Sequence, residues 1–337
     1  MAKKPFKGDY LTFQVRLSYD ENTDSVHLTS KDKDILAENG FDLVLNGGWD
    51  TEEAEMTLRT LLEKRGLLSE ERFKSIPSRV LYDESSNQDV WDKFPLGVHS
   101  NGEEAVWDSS YSPSLMLIGG SGSGKSVLQR NILSHCIRHS DKWGVLLIDP
   151  LRVEFAPYKK HTETVMEIAN SVAESVGVLR DVHGEMMKRY EEMEKQGCNN
   201  FLDMSEPPKS LLVMIDESNL FLAPVESMVQ EHLDEDKLRL EAVKVLQDIT
   251  RLGRAAGIHV VISSQRLDTK VINGEMLQHF PTRIATGPLN SEQSQLLLGN
   301  NQATRLNSAV KGWGYLQDHG RGVDFQGYYS ERDYLRF

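Results

Sequence analysis

The chain contains little cysteine and no long apolar run. Its 337 residues include two cysteines, Cys136 and Cys198, and neither belongs to a Cys-x-x-Cys pair or to a cysteine–histidine pattern with metal-ligand spacing. This predicts two reduced thiols in a cytosolic protein and argues against a disulfide scaffold or a structural zinc site. No stretch of 18 apolar residues occurs, so we expect no transmembrane helix. The basic start lacks a following apolar segment, and no secretory signal is expected there.

Basic residues are also in deficit. The chain has 38 lysines and arginines against 51 acidic residues, a net charge of −13, and most of the excess acid lies in residues 1–110. An acidic surface of this kind argues against non-specific coating of nucleic acid, although it leaves room for a local basic groove or pore. Hydrophobic residues make up 39% of the chain, which is enough for a core of useful size.

The character of the sequence changes near residue 94. Residues 1–93 predict an acidic accessory domain of mixed α+β structure, with a strand in 9–19, a helix in 51–66 and a linker in 83–89. Residues 94–337 predict an α/β domain. Its apolar runs at 115–119, 144–149, 211–216, 258–264 and, more weakly, 282–287 alternate with helical stretches, including a long helix predicted over 163–196. Such runs are typical of a mostly parallel sheet covered on both faces.

A glycine-rich bend follows the first of these runs. Residues 119–126, Gly-Gly-Ser-Gly-Ser-Gly-Lys-Ser, match the pattern GxxxxGK[ST] between a predicted strand and a predicted helix, and this context favours a phosphate-binding loop over a flexible Gly/Ser loop. Glycines let successive N–H groups point at a polyphosphate, and the helix N-terminus adds its positive end. Lys125 would reach the β- and γ-phosphates, and Ser126 would bind Mg²⁺. The predicted nucleotide-binding residues are Gly119, Gly120, Ser121, Gly122, Ser123, Gly124, Lys125, Ser126 and Val127.

Two adjacent carboxylates, Asp216 and Glu217, stand at the end of the third apolar run. Burying them at a strand end without partners would be costly, whereas a Mg²⁺–nucleotide complex would supply the partner. Asp216 would then hold the Mg²⁺ shell together with Ser126, and Glu217 would orient and polarise the attacking water. A surface-exposed acidic turn is the alternative.

Further polar residues extend this candidate hydrolytic site. Gln265 follows the run at 258–264 and would sense the γ-phosphate if that strand neighbours the other two, although an ordinary loop glutamine fits the same spacing. Hydrolysis of this type usually also needs a positive charge, from the same chain or from a neighbouring subunit. Arg251, Arg254 and Arg283 are candidates, and each fits a surface ion pair equally well.

Several segments after residue 94 occur together, in the same order, in one known family. They are the entry segment and phosphate loop at 94–126, LLIDPLRVEF at 146–155, the long helical segment at 178–201, LLVMIDESNLFL at 211–222, the stretch at 251–287 and the terminal strand pair at 312–329. The order GRAAGIH, SQR, PTRIA within 251–287 is the most specific part. Together these segments resemble the FtsK/SpoIIIE-type motor ATPases of the FtsK–HerA superfamily, although Leu151 and Arg152 stand where that family usually has lysine.

The resemblance implies a RecA-like P-loop ATPase core that uses ATP and Mg²⁺. It also implies a homo-oligomeric ring, usually a hexamer, in which nucleotide lies between subunits and Arg251, Arg254 or Arg283 reaches across. The cell-division members of the family carry membrane-spanning N-terminal segments and a winged-helix domain after the motor, and neither is seen in this sequence. We therefore expect a soluble, stand-alone motor core in the cytoplasm. If a virus or mobile element encodes the chain, we expect it in the cytoplasm of the host cell.

Three functions fit this sequence. The first is ATP-driven translocation of double-stranded DNA in genome packaging, plasmid transfer or DNA segregation. Basic loops would contact the DNA backbone, and the candidate residues are Arg152, Lys159, Lys160 and Lys270. An ordinary solvated surface explains these residues equally well. The second is protein translocation, as in the type VII secretion ATPases of the same superfamily. The third is an ATP-dependent interaction or defence switch, in which residues 1–93 bind a partner protein.

Overall fold

The computed structural model describes residues 17–20, 25–28, 80–81, 90–99, 102–225, 230–268, 271–272 and 274–329. The chain divides into two compact units, Met1–Ser75 and Ile76–Phe337, whereas the domain boundary expected from the sequence falls at residue 93. In the first unit, β1 (Leu17–Asp20) pairs antiparallel with β2 (Ser25–Leu28). The remainder of the strand predicted in 9–19, the helix predicted in 51–66 and the linker predicted in 83–89 lie outside the described residues.

An 11-stranded sheet forms the centre of the second unit, in the order β5-β4-β13-β12-β11-β6-β10-β9-β7-β8, with β3 paired to β13. Neighbouring strands are parallel from β8 to β11 and antiparallel from β11 to β5. The strands are β3 (Val80–Leu81), β4 (Lys93–His99), β5 (Glu104–Asp108), β6 (Ser114–Gly119), β7 (Trp143–Ile148), β8 (Val165–Ala169), β9 (Ser210–Ile215), β10 (Ile258–Ser264), β11 (Thr282–Thr286), β12 (Trp313–Asp318) and β13 (Arg321–Tyr329). The five predicted apolar runs are β6, β7, β9, β10 and β11, so the predicted mostly parallel core is confirmed.

Helices cover both faces of this sheet. They are α1 (Lys125–Arg138), α2 (Val172–Gln196), α3 (Ser218–Leu222), α4 (Gln230–Leu252), α5 (Gly274–Gln278) and α6 (Ser291–Leu298). Leu115 of β6 belongs to one core cluster with Ile132 of α1, whereas the next residue, Met116, belongs to the opposite cluster with Leu179 of α2 and Leu246 of α4. Successive side chains of a strand point to opposite faces, so the continuous apolar runs reflect burial on both sides. Within the described ranges, no helix has the length and apolar composition that crossing a bilayer requires.

The long helix predicted over 163–196 was wrong at its start. Residues Val165–Ala169 form the edge strand β8, parallel to β7, and the helix begins only after Ser171. The Ser171 side chain accepts a hydrogen bond from the Glu174 backbone N–H, while the Glu174 side chain bonds the Ser171 backbone, which makes a capping box. Val165 and Ala169 share one face of a strand as readily as one face of a helix. Their spacing alone therefore did not separate the two.

The parallel register brings three loops to one edge of the sheet. Ser264 of β10 lies opposite Ile118 of β6, and Ile262 lies opposite Ile215, the last residue of β9. The loops after β6, β9 and β10 therefore leave the sheet together at what we call the carboxyl edge. In open α/β sheets this edge is where ligands bind.

Candidate nucleotide site

The glycine-rich bend turns the chain from β6 into α1 at the carboxyl edge. Gly122 and Gly124 adopt φ values of 73° and 110°, the left-handed region that glycine occupies without steric cost. A Cβ on Gly124 would also lie 2.8 Å from the Cα of Gly312. Both features restrict this position to glycine, and the turn points the start of α1 into a cavity.

Contacts behind the bend hold it in place. Ser123 Oγ and Thr286 Oγ1 are 2.8 Å apart, and the Gly312 N–H donates to the Ser123 carbonyl at 3.0 Å. A Cβ on Gly119 would lie 2.0 Å from Thr286 Oγ1, so a side chain at 119 has no room. Gly119 and Ser123 thus pack the loop against its neighbours and do not line the cavity that the other predicted loop residues line.

The cavity has a volume of about 610 Å³ and three walls. The first is formed by residues 120–122 and 124–128, which include the predicted Lys125, Ser126 and Val127. The second is formed by Asp216, Glu217 and Gln265 at the ends of β9 and β10. Residues 309–312 and 326–329, from the loop before β12 and the end of β13, form the third. The structure therefore brings the predicted phosphate, metal and water-orienting residues together, and adds a third wall that the sequence did not indicate.

Lys125 and Glu217 contact each other across the cavity. Lys125 Nζ donates to Glu217 Oε1 at 2.5 Å, and the two side chains are 8% and 12% exposed. Glu217 has φ 44° and ψ 53°, a left-handed conformation that is uncommon for residues other than glycine. Such conformations persist where the surroundings enforce them, and they concentrate at functional sites. The turn places the Glu217 carboxylate beside the phosphate loop, ahead of α3.

Two buried side chains position Asp216. Gln129 Nε2, on α1, donates to Asp216 Oδ1 at 3.0 Å, and Ser263 Oγ, on β10, donates to the same oxygen at 2.7 Å. Gln129 and Ser263 are both 0% exposed. Sequence reasoning missed both residues, although Gln129 lies one helical turn after Lys125 and so shares its face of α1. Their hydrogen bonds orient the carboxylate at the end of β9.

The candidate arginines lie at the opposite, amino edge of the sheet. Arg254 sits in the 3-10 turn Gly253–Ala256 that leads into β10, and its Nε donates to the Ser110 carbonyl at 3.0 Å. Arg251 lies near the end of α4 and pairs with Asp248 at 2.7 Å. Both arginines are described, and neither lines the cavity of its own chain.

Arg283 has a different environment, because its guanidinium is bound to backbone carbonyls. It donates to the carbonyl oxygens of Phe280, Leu297 and Leu277 at 2.9, 3.1 and 2.8 Å, and burial lowers its pKa. These bonds join the start of β11 to α5 and α6. Arg283 also lies outside the cavity lining.

The predicted basic residues that the structure describes lie in two segments of the chain. Arg152, exposed and with φ 61°, follows the carboxyl end of β7. Lys159 and Lys160 are exposed at the end of a 3-10 turn, Ala156–Lys160, that leads towards the amino end of β8. Lys270 lies outside the described residues.

Comparison with known proteins places this arrangement in a family. The FtsK/SpoIIIE family model matches residues 79–269. The DNA translocase FtsK of Streptococcus agalactiae is 29% identical over 239 residues, which are 69% of this chain and 29% of that protein. FtsK of Lactococcus lactis subsp. cremoris is 30% identical over 220 residues, 64% of this chain and 29% of that protein. The chain thus matches less than a third of the length of these curated relatives.

Solved structures show the same fold. The pCW3 conjugation coupling protein TcpA, in a monomer form with ATPγS, is 25% identical with a TM-score of 0.70, covering 78% of this chain and 73% of that one. The cytoplasmic domain of the Thermomonospora curvata type VII secretion ATPase EccC is 22% identical with a TM-score of 0.58, covering 72% of this chain and 29% of that one. With a family model that spans more than half of its residues, the chain belongs to the FtsK/SpoIIIE family of RecA-like P-loop ATPases.

Proposed function

We propose that this chain is an ATP-hydrolysing motor that moves double-stranded DNA. The observation that carries the proposal is the meeting of Lys125, Ser126, Asp216 and Glu217 on one cavity in a member of a family that contains DNA translocases. Among genome packaging, plasmid transfer and DNA segregation, the likeness to a conjugation coupling protein at 25% identity favours transfer. The likeness to EccC, at 22% identity, extends to the fold alone and gives protein secretion no separate support.

The cavity fits ATP with Mg²⁺. The loop N–H groups and Lys125 suit the phosphates, and Ser126 and Asp216 offer one hydroxyl and one carboxylate on the same cavity. Mg²⁺ commonly takes few protein ligands and completes its shell with phosphate oxygens and water. Bound Mg²⁺ would neutralise charge on the β- and γ-phosphates. Gln129 and Ser263 would keep Asp216 turned towards it.

Hydrolysis requires Glu217 to act on water. Its carboxylate is bonded to Lys125, so phosphate oxygens that take the Lys125 ammonium would free the carboxylate to orient and polarise a water molecule. Gln265 lines the same cavity from the end of β10 and would sense the γ-phosphate. Both roles depend on the order of strands β6, β10 and β9.

We propose that a homo-oligomeric ring, a hexamer by resemblance to the family, completes the site. The candidate arginines lie at the amino edge and the cavity lies at the carboxyl edge, so an arginine contact would come from a neighbouring subunit. Arg254 and Arg251 suit this role better than Arg283, whose guanidinium is bound to three carbonyls. Arg152, Lys159, Lys160 and Lys270 remain the proposed DNA contacts, and residues 1–93 the proposed site of a protein partner.

The ATPase rate in the presence of nucleic acid tests this function. We expect long duplex DNA to stimulate the rate more than single-stranded DNA, and the stimulation to fade between low and moderate salt, because phosphate contacts release counterions. Glu217→Gln supplies the blank. A rate that is indifferent to both nucleic acids would contradict DNA translocation and favour a protein partner.

A further inference from the structure

The sheet topology brings one more cation to the phosphate loop. β12 runs antiparallel to β11, with Gly314 opposite Thr286, the last residue of β11. β12 therefore begins at the carboxyl edge, and the loop that precedes it, residues 309–312, forms part of the cavity wall. Lys311 is the basic residue of this loop.

Three hydrogen bonds fix the backbone of this loop, one to the phosphate loop and two to β13. The Gly312 N–H donates to the Ser123 carbonyl at 3.0 Å. Gln326 Nε2 donates to the Lys311 carbonyl at 2.7 Å, and the Gly327 N–H donates to the Gly312 carbonyl at 2.8 Å. None of these bonds uses the Lys311 side chain, so the loop position does not depend on it.

The Lys311 ammonium lies directly beside the apex of the phosphate loop. A Cβ built on Gly122 would be 3.1 Å from Lys311 Nζ. Lys311 is exposed, and no carboxylate in the described part of the chain forms an ion pair with it. Lys125, the other lysine on the cavity, is already bonded to Glu217. Among the residues that the structure describes, the cavity therefore has a second positive charge, on Lys311, that no carboxylate pairs with.

We propose that Lys311 binds the phosphate tail of the nucleotide from within the same chain, as a second cation beside Lys125. Hydrolysis of this kind needs positive charge on the phosphoryl group, and the candidate arginines lie at the opposite edge of their own subunit. An ammonium bonded to phosphate oxygens makes a charge-assisted hydrogen bond. The role of Lys311 rests on the proposed binding of ATP. It adds a residue from the third wall of the cavity to the proposed ATP-binding site.

Equilibrium titration of the full chain with ATPγS and with ADP tests this role. Lys311→Ala should weaken ATPγS binding about fivefold to thirtyfold and ADP binding less, because ADP carries less charge. Lys311→Arg should retain most of the affinity. The weaker binding of Lys311→Ala should also depend less on salt, since one screened charge is gone.

Lys142→Ala is the matched control, because Lys142 is also exposed, pairs with Asp141 and precedes β7 at the amino edge. Unchanged affinity in Lys311→Ala, or a loss equal to that of Lys142→Ala, would overturn the role of Lys311 while leaving ATP binding intact. Absence of ATPγS binding by the unsubstituted chain would instead overturn the proposed function itself. The two failures are therefore distinguishable in one set of titrations.

Discussion

Lys125 Nζ and Glu217 Oε1 lie 2.5 Å apart in the cavity. The residue predicted to bind the phosphates is therefore bonded to the residue predicted to orient the attacking water. Both side chains are nearly buried, where a charge without a partner is costly. If the contact between the Lys125 ammonium and the Glu217 carboxylate breaks, each of these two groups therefore needs a new partner. In the function we propose, phosphate oxygens would compete with Glu217 for Lys125, and nucleotide binding would thereby release the Glu217 carboxylate.

Replacing Glu217 by glutamine should separate binding from hydrolysis. The amide keeps the shape but weakens the bond to Lys125 and loses the base, so ATPγS affinity should be retained or increased. Turnover should fall at least about a hundredfold, the usual contribution of a positioned base. Equilibrium titration and steady-state ATPase rates on the same preparation measure both quantities. Turnover close to that of the unsubstituted chain would remove Glu217 from the role we assign to it.

Gln129→Leu should affect the metal more than the nucleotide. It removes one of the two donors that hold Asp216 Oδ1, and loss of such supporting bonds typically costs about tenfold or more in metal affinity. We expect the Mg²⁺ concentration for half-maximal ATPase activity to rise about tenfold, and Ser263→Ala to shift it in the same direction. Asn131→Leu is the control, because Asn131 is a buried amide on the same helix that bonds the Tyr328 carbonyl instead. An equal shift in all three variants would show that the effect is not specific to Asp216.

Arg254→Ala should be rescued by mixing if Arg254 acts across a subunit interface. Alone, this variant should turn over slowly. Mixed with Glu217→Gln, some interfaces would join an intact Arg254 to an intact Glu217, and activity should partly return. Mixtures of Arg254→Ala and Glu217→Gln that are no more active than their components would argue against action in trans.

Arg283→Ala should instead lower the free energy of unfolding by about 1–3 kcal/mol, because it removes the donor to three carbonyls.

His259 should make the stability of the second unit depend on acidity. It is 3% exposed in β10, and burial lowers its pKa to about 3, against about 6.5 in the unfolded chain. Between about pH 6.5 and about pH 3 the unfolded state binds a proton that the folded state does not. The free energy of unfolding therefore falls as the pH falls through this range, by up to about 1.4 kcal/mol per pH unit for this group. Denaturant unfolding at several pH values measures the slope.

Replacing His259 tests whether this group causes the slope. His259→Gln should flatten the slope, because it removes the group whose pKa differs between the folded and unfolded states. Parallel curves for the unsubstituted chain and His259→Gln would assign the acid sensitivity to other groups.

Much of the fold could be predicted from local sequence. Each apolar run became a buried strand, because burial on both faces of a parallel sheet requires continuous apolar residues. The phosphate loop was predictable because its glycines are needed at fixed positions, as Gly124 shows. The start of α2 was misplaced because Val165 and Ala169 fit two periodicities, although the box formed by Ser171 and Glu174 marks the true start.

The supporting residues of the site were harder to predict because they depend on strand order. Ser263 reaches Asp216 only because β10 lies beside β9. Lys311 reaches the phosphate loop only because β12 returns antiparallel to β11. Spacing along the chain does not indicate that β10 lies beside β9 or that β12 lies beside β11. Without the strand order, a short basic loop such as the one with Lys311 cannot be distinguished from ordinary solvated surface.

Movement along DNA is the central claim, and displacement of a third strand from a duplex tests it most directly. A labelled oligonucleotide bound as a triplex at one end of a long duplex is released when a motor passes. The account predicts ATP-dependent release by the unsubstituted chain, none with ATPγS, and none with Glu217→Gln. ATP hydrolysis that proceeds on the same duplex without releasing the third strand would contradict translocation.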